Sequence, residues 1–261
     1  MISRQELETE SLATAGVKGV SGHYQWIRVL DSFEMYVLDS DKSVTPCLVR
    51  DGYWESWITA WMLNNLQDGT TFIDIGANAG YYAFIAKHQG SNVIAFEPNP
   101  AYADMMLATV KRNGWENIDI HTIALSNFTG DAVLSVPEDL HGSASLSHIP
   151  GYEITKIEVS VAPFDDVCIN LDPEGTYMVK IDAESEEENI MHGMKDFLTR
   201  CHNVTVMMEY TPYAYTDKFL DYLFENWSVS RIENDGSDLP ISHESIQERK
   251  DWSMLALKKR D

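Results

Sequence analysis

The chain has no paired cysteines. Its 261 residues include three, Cys47, Cys168 and Cys201, widely spaced and with no C-x-x-C. Neither a disulfide framework nor a cysteine zinc site is expected, and the thiols read as free in a reducing cytosol. The eight His show no paired ligand spacing, which speaks against zinc on imidazole as well. Positive charge is scarce: 19 Lys and Arg stand against 41 Asp and Glu, a formal charge of −22. A surface that acidic repels phosphate backbones, so no nucleic acid and no anionic membrane is expected as a partner. No apolar run approaches the ~20 residues of a membrane-spanning helix. The first ten residues, MISRQELETE, lack the apolar centre of a secretion signal. Internal repeats and low-complexity tracts are absent too. A cytoplasmic protein follows, near the ~250–300 residues that one hydrophobic core can serve. With 44% apolar residues and seven Trp, that core can be sizeable.

What is present is organised around residues 71–100, TFIDIGANAGYYAFIAKHQGSNVIAFEPNP. A short apolar run to Ile75 fits a strand buried on both faces. A glycine turn, Gly76 to Gly80, leads into a helix over Tyr81 to His88, with Gly90 as its stop. A second apolar run, Val93 to Phe96, ends on Glu97 and is closed by Pro98-Asn99-Pro100. This is one βαβ unit. The glycines let a ligand approach the backbone, the helix start offers unpaired N–H groups, and Glu97 can accept from both hydroxyls of a ribose. A dinucleotide site wants a middle glycine for the pyrophosphate. Here that position is Asn78, and Asp74 adds negative charge, which suits the cationic S-adenosylmethionine better. Asp74, Gly76, Ala77, Asn78, Gly80, Glu97, Pro98 and Asn99 are therefore the expected cofactor residues.

Residues 1–66 read as a polar, loosely packed arm to about residue 20, a short ribbon and a cap helix. The ribbon comprises Tyr24–Val29 and Met35–Leu38, and Pro46 ends it. Trp54, Trp57, Ile58, Trp61 and Met62 fall on one face of the helix, and core packing is the favoured role for these tryptophans. Residues 67–261 form the α/β domain. After the βαβ unit come a helix over Ala101–Arg112 and a third strand, Ile118–Ile123. That strand delivers Ala124 and Leu125 to the cofactor edge, where an adenine could lie. An excursion at about 127–170 holds two strands, Asp131–Val136 and Ile154–Val161, and is long enough to be a functional loop. Tyr177–Ile181 and Val204–Met208 are the fourth and fifth strands, separated by one amphipathic helix over Ile190–Leu198. A further helix and the strands Ser228–Ile232 and Trp252–Leu257 follow, the last two joined by a polar connection. Strands alternating with helices give a mostly parallel sheet with helices on both faces.

The blocks FIDIGANAGYYAF, VIAFEPNP, IALSNFTGDAVL, GSASL, PFDDV and MVKIDAESEEENIMHGM occur in the order seen in FkbM-type methyltransferases, which this chain resembles from about Tyr53 to Tyr210. The resemblance implies a class I Rossmann-like fold and S-adenosylmethionine-dependent methylation, usually of a hydroxyl. It also implies that GSASL, with Ser143, lies near the ligand. Where the family usually reads IDVEG, this chain has Ile181-Asp182-Ala183-Glu184-Ser185.

Methyl transfer from a sulfonium is an in-line displacement dominated by positioning. A hydroxyl acceptor also needs a base, and by position this is Asp182 or Glu184, with His148 and His141 behind them. Asp182 is also placed beside the cofactor. Glu186, Glu187 and Glu188 are assigned to the dipole of the following helix. Asp165-Asp166 is either a helix cap or a site. Clustered carboxylates could hold Mg²⁺, but no metal is expected. No NPPY-like segment follows the fourth strand, which argues against methylation of a base amine. The acceptor is thus a small molecule or glycan. Two alternatives stay open at this point, a nicotinamide-dependent oxidoreductase and a non-catalytic nucleoside-binding module. Oligomeric state is not readable from these residues.

Overall fold

The first residues are not a loose arm. In the computed structural model, which describes residues 1–138, 141–146 and 151–260, helix α1 (Arg4–Leu12) begins at a capping box. Ser3 Oγ accepts from Glu6 N, and Ser3 N donates to Glu6 Oε2. Leu7 is buried beneath it. The S-x-x-E pattern at 3–6 is the local signal for this start.

Strands β1 (Val17–Ser21), β2 (Tyr24–Val29) and β3 (Phe33–Leu38) form an antiparallel sheet, one strand more than the expected ribbon. Helix α2 (Thr45–Asp51) follows, and Pro46 opens it rather than ending the section. Proline fits the first turn of a helix, where its missing N–H has no partner to lose. Helix α3 (Ser56–Asn65) buries Ile58, Trp61 and Met62, whereas Trp54 lies before its start.

The organising unit has the expected form: β4 (Thr71–Ile75), α4 (Tyr81–His88) and β5 (Asn92–Phe96). Helix α5 (Pro100–Asn113) ends on Gly114 in the left-handed region, φ 65°. It carries the N-terminal sheet, since Tyr36 N donates to Thr109 Oγ1 at 3.0 Å and Asn113 Nδ2 to the Glu34 carbonyl at 2.6 Å.

Strand β6 (Ile118–His121) is followed by a second small sheet of β7 (Ala124–Leu125), β8 (Gly130–Pro137) and β9 (Ile154–Ala162), in the order β7-β9-β8. Ala124 and Leu125 belong to this sheet, not to the main one. Helix α6 (Phe164–Val167) leads to β10 (Thr176–Ile181). The single helix expected over Ile190–Leu198 is two, α7 (Glu187–Gly193) and α8 (Lys195–Arg200), broken at Met194. Asp165 explains the break, because its carboxylate accepts from Asp196 N and Phe197 N and so caps α8. Strand β11 (Asn203–Tyr210), helix α9 (Asp217–Asn226) and strand β12 (Trp227–Ile232) come next. The polar connection at 233–251 contains β13 (Asp238–Pro240) and α10 (His243–Gln247), and β14 (Ser253–Lys259) closes the sheet.

The main sheet runs β13-β12-β14-β11-β10-β4-β5-β6. From β6 to β11 all pairs are parallel, and β14 runs antiparallel to β11. Period-two alternation splits the core. Phe72, Met178 and Met207 face α3, α4 and α5, while Ile73, Val179 and Val206 face α7, α8 and α9. The chain leaves β4 toward one side of the sheet and β10 toward the other. Their carboxyl ends are therefore the switch point, where ligands bind in open α/β sheets.

Candidate active site

A cavity of about 290 Å³ opens at that switch point. Gly76, Ala77 and Asn78 line it, and the turn is fixed by Gly76 N and Ala77 N, both donating to the Phe96 carbonyl at 3.0 Å. Gly76 has φ 75°, and a Cβ there would stand 1.9 Å from the Asp182 carbonyl oxygen. Only glycine lets β4 and β10 come this close at their ends.

Glu97 is buried at the next strand end, with Oε2 accepting from Asn78 N at 2.7 Å and Oε1 from Asn99 N at 2.8 Å. Each oxygen keeps a lone pair for another donor. Burial pushes Glu97 up to about 7, against the two N–H donors. Pro98, Asn99, Ala124, Leu125 and Ser143 also line the cavity. The excursion crosses its mouth: Gly142 N donates to Ser43 Oγ at 3.0 Å, and Ser145 Oγ to the Glu184 carbonyl at 2.9 Å.

Two of the expected cofactor residues sit behind the wall and not on it. Gly80 is the N-cap of α4 and packs against Phe84. Asp74 is buried, and its Oδ2 accepts from Ala83 N at 3.0 Å. Across the sheet Asp74 is paired in register with Lys180. Burial raises Asp74 to about 6, while Lys180 and the Ala83 N–H oppose the rise.

Asp182 and Glu184 both line the cavity, whereas His148 lies outside the described residues. Asp182 Oδ2 accepts from Lys180 Nζ at 2.9 Å. Burial works against the Lys180 ammonium, but Asp182, Asp74 and Glu55 outweigh it and hold the group well above the ordinary lysine range. Glu184 is pushed up to about 7 by burial, with Asp182 and Glu187 adding to it. Burial and the same neighbours hold Glu209, at the end of β11, well above the usual carboxylate range.

The run Glu186–Glu188 is more specific than a dipole response. Glu186 lines the cavity and accepts from Ser126 Oγ, buried Glu187 accepts from Ala183 N and Tyr215 OH, and Glu188 accepts from Thr216. Among the described residues, no group of three or more His, Cys, Asp or Glu is arranged to hold a metal ion.

Sequence reasoning missed one wall of the cavity, formed by Trp54, Glu55, Tyr81, Tyr82 and Lys180. Lys180 carried a readable signal. A lone cation inside the buried run TYMVKI must meet a carboxylate, and Asp182 lies two residues on, along the same face of the strand.

The position where the family usually has glycine is also resolved. Ser185 adopts φ 79°, directly after Glu184 at φ 53°. The turn survives without its glycine, at a cost to the backbone. Ser185→Gly is expected to stabilise the protein by about 1 kcal/mol, a rise of ~2–4 °C in Tm. An unchanged or lower Tm in a thermal melt would overturn that reading of the turn.

Strand order, switch-point cavity, glycine turn and strand-end acid together define a class I methyltransferase fold. The chain belongs to the FkbM methyltransferase domain family, which matches residues 74–231, well over half of its length. It is a methyltransferase of the S-adenosylmethionine-dependent kind, which sets the nicotinamide and non-catalytic alternatives aside. No match is found among curated proteins.

Similar solved structures include precorrin-6y C5,15-methyltransferase from Geobacter metallireducens GS-15, at 12% identity over 85% of this chain and 95% of that one, with a TM-score of 0.46. A putative transferase, PH0793, from Pyrococcus horikoshii has 9% identity over 92% and 74%, with a TM-score of 0.48. A Pyrococcus abyssi tRNA (uracil-54, C5)-methyltransferase, solved with S-adenosyl-L-homocysteine, has 11% identity over 91% and 44%, with a TM-score of 0.46. These likenesses are distant, and the assignment stands on the strand order and the family match.

Proposed function

We propose that this enzyme methylates a hydroxyl on a small molecule or glycan. The observation that carries the reading is the polarity of the cavity: Glu97 and the glycine turn at one side, and the carboxylates at the ends of β10 and β11 at the other. When bound, S-adenosylmethionine supplies an electrophilic methyl group on a sulfonium. Glu97 would accept from its ribose, Ala124 and Leu125 would pack against its adenine, and Gly76 to Asn78 would lie under its amino-acid part. The spare lone pairs on buried Glu97, aimed into the cavity at the strand end, fit the hydroxyls of that group. Asp182, fixed by Lys180, would orient the acceptor hydroxyl, and a nearby carboxylate would take its proton. Among the described residues, no Lys or Arg lines the cavity apart from Lys180, which is paired. A phosphate-rich acceptor such as nucleic acid would thus meet an excess of carboxylates.

Among the described residues no helix is long and apolar enough to cross a membrane. The three cysteines are free thiols, which supports a cytoplasmic setting. The test is transfer of a tritiated methyl from S-adenosylmethionine to panels of glycosides, phenols, amines and RNA. Label is expected in base-stable ethers of the first two panels. Label confined to amines or RNA would sink the proposal.

A further inference from the structure

Among the described carboxylates that line the cavity, Glu55 alone precedes the family-matched segment. Its backbone is left-handed, φ 39° and ψ 63°, a conformation that a glutamate rarely adopts. It stands at the N-cap of α3, where an acidic side chain ordinarily accepts from the N–H groups of the first turn. Here it makes no such bond. The carboxylate is turned into the cavity wall instead, with Oε2 accepting from Tyr82 OH at 2.8 Å. The Tyr82 ring in turn lies 5.0 Å from the Lys180 ammonium, which is paired with Asp182.

The strain is held from outside. Ser56, the next residue, donates from Oγ to Glu8 at 2.5 Å and accepts from Arg4 Nε at 2.9 Å, both on α1. Backbone strain over-determined by its surroundings, at a residue that lines a cavity and has no capping role, marks a functional position.

We propose that Glu55 is the carboxylate that faces the transferring methyl group and takes the acceptor's proton. This rests on the hydroxyl-methylation reading above. The acceptor oxygen forms the new C–O bond, the C–S bond breaks with its electron pair going to sulfur, and the O–H proton moves to Glu55 Oε1. Oε2 stays on Tyr82 throughout. A sulfonium and a carboxylate are replaced by a thioether and a carboxyl, so two opposite charges disappear together. Two of the other cavity carboxylates are less suited. Asp182 is held in an ion pair by the Lys180 ammonium, and burial with the charges of Asp182, Glu184 and Glu187 holds Glu209 well above the usual carboxylate range. Burial and the Asp182 charge bring Glu55 up to about 7, against Tyr82 and Lys180, which poises it to gain and lose a proton.

The test needs no acceptor. Sinefungin carries a protonated amine where S-adenosylmethionine carries its methyl group, whereas S-adenosylhomocysteine has nothing there. By calorimetry the wild-type protein is expected to bind sinefungin at least ~10-fold more tightly than S-adenosylhomocysteine. In Glu55→Gln that preference should fall by ~10-fold, with S-adenosylhomocysteine affinity unchanged. Glu55→Gly relieves the left-handed backbone, so it should melt no lower than wild type while also losing the preference. An unchanged preference in Glu55→Gln overturns the proposal and leaves the cofactor reading standing. A wild-type protein that binds neither compound overturns both.

Discussion

Glu97→Ala is expected to weaken S-adenosylhomocysteine binding by ~10²-fold or more. Hydrogen bonds to a charged group are worth ~1.5–3 kcal/mol each, and two ribose hydroxyls lose their acceptor. The carboxylate also holds the N–H groups of Asn78 and Asn99, so the substitution loosens the turn as well. Thermal melts without ligand measure that share. The pH dependence isolates the ligand's share. Glu97 lies near 7 in the free protein, and a ligand that donates to it favours the charged form. Affinity should therefore rise from pH 6 to pH 8 in the wild type and rise less steeply in Glu97→Ala, where only Glu55 and Glu184 still titrate near 7. S-adenosylhomocysteine is the right probe, because it lacks the sulfonium that would also respond to the other carboxylates. Undiminished affinity in the variant would end the ribose assignment.

The residues behind that prediction were legible because the βαβ signal is local. Gly76, Asn78 and Glu97 fall within one strand–turn–helix–strand unit, and backbone geometry alone sets their spacing. Local signals also explain what was misjudged. The capping box at Ser3–Glu6 and Pro46 in a first helical turn were both present in the sequence, but a polar arm and a chain stop are competing meanings of the same residues. Glu55 was not legible at all. Its role depends on a left-handed residue, on Tyr82 from α4 and on α1 pinning Ser56, three facts that meet only after the chain has folded. The tryptophan-rich stretch around it read as core, and for Trp61 that is where it sits. Asp74 shows the converse. It was expected at the ligand and is found behind the cavity wall, in register with Lys180 on β10, a cross-strand pairing that exists only once the sheet has formed.

Lys180→Met should destabilise the protein by about 3 kcal/mol, the lower end of what removing one member of a buried ion pair costs. The lower end applies because Asp182 is about a third exposed and can be rehydrated, whereas Lys180 is almost wholly buried. Methionine fills the same volume, so packing contributes little to the loss. The deficit has a pH signature. Lys180 stays charged in both folded and unfolded chains from pH 5 to 8, so its own titration does not enter. Asp74 is already raised to about 6, and Glu55, Glu97 and Glu184 to about 7, from unfolded values near 4.5 or below. Between those limits the folded state binds more protons than the unfolded one, so wild-type stability falls as pH rises. Without the ammonium, Asp74 and Glu55 lose their compensating cation and rise further. The cost is thus largest at pH 8, where they must be ionised, and shrinks toward pH 5, where they are protonated. Paired melts should show a Tm gap of ~6–12 °C at pH 8 that closes by at least half at pH 5. A gap that does not change with pH would mean that Lys180 stabilises the sheet by packing alone, and that the carboxylates beside it do not depend on its charge.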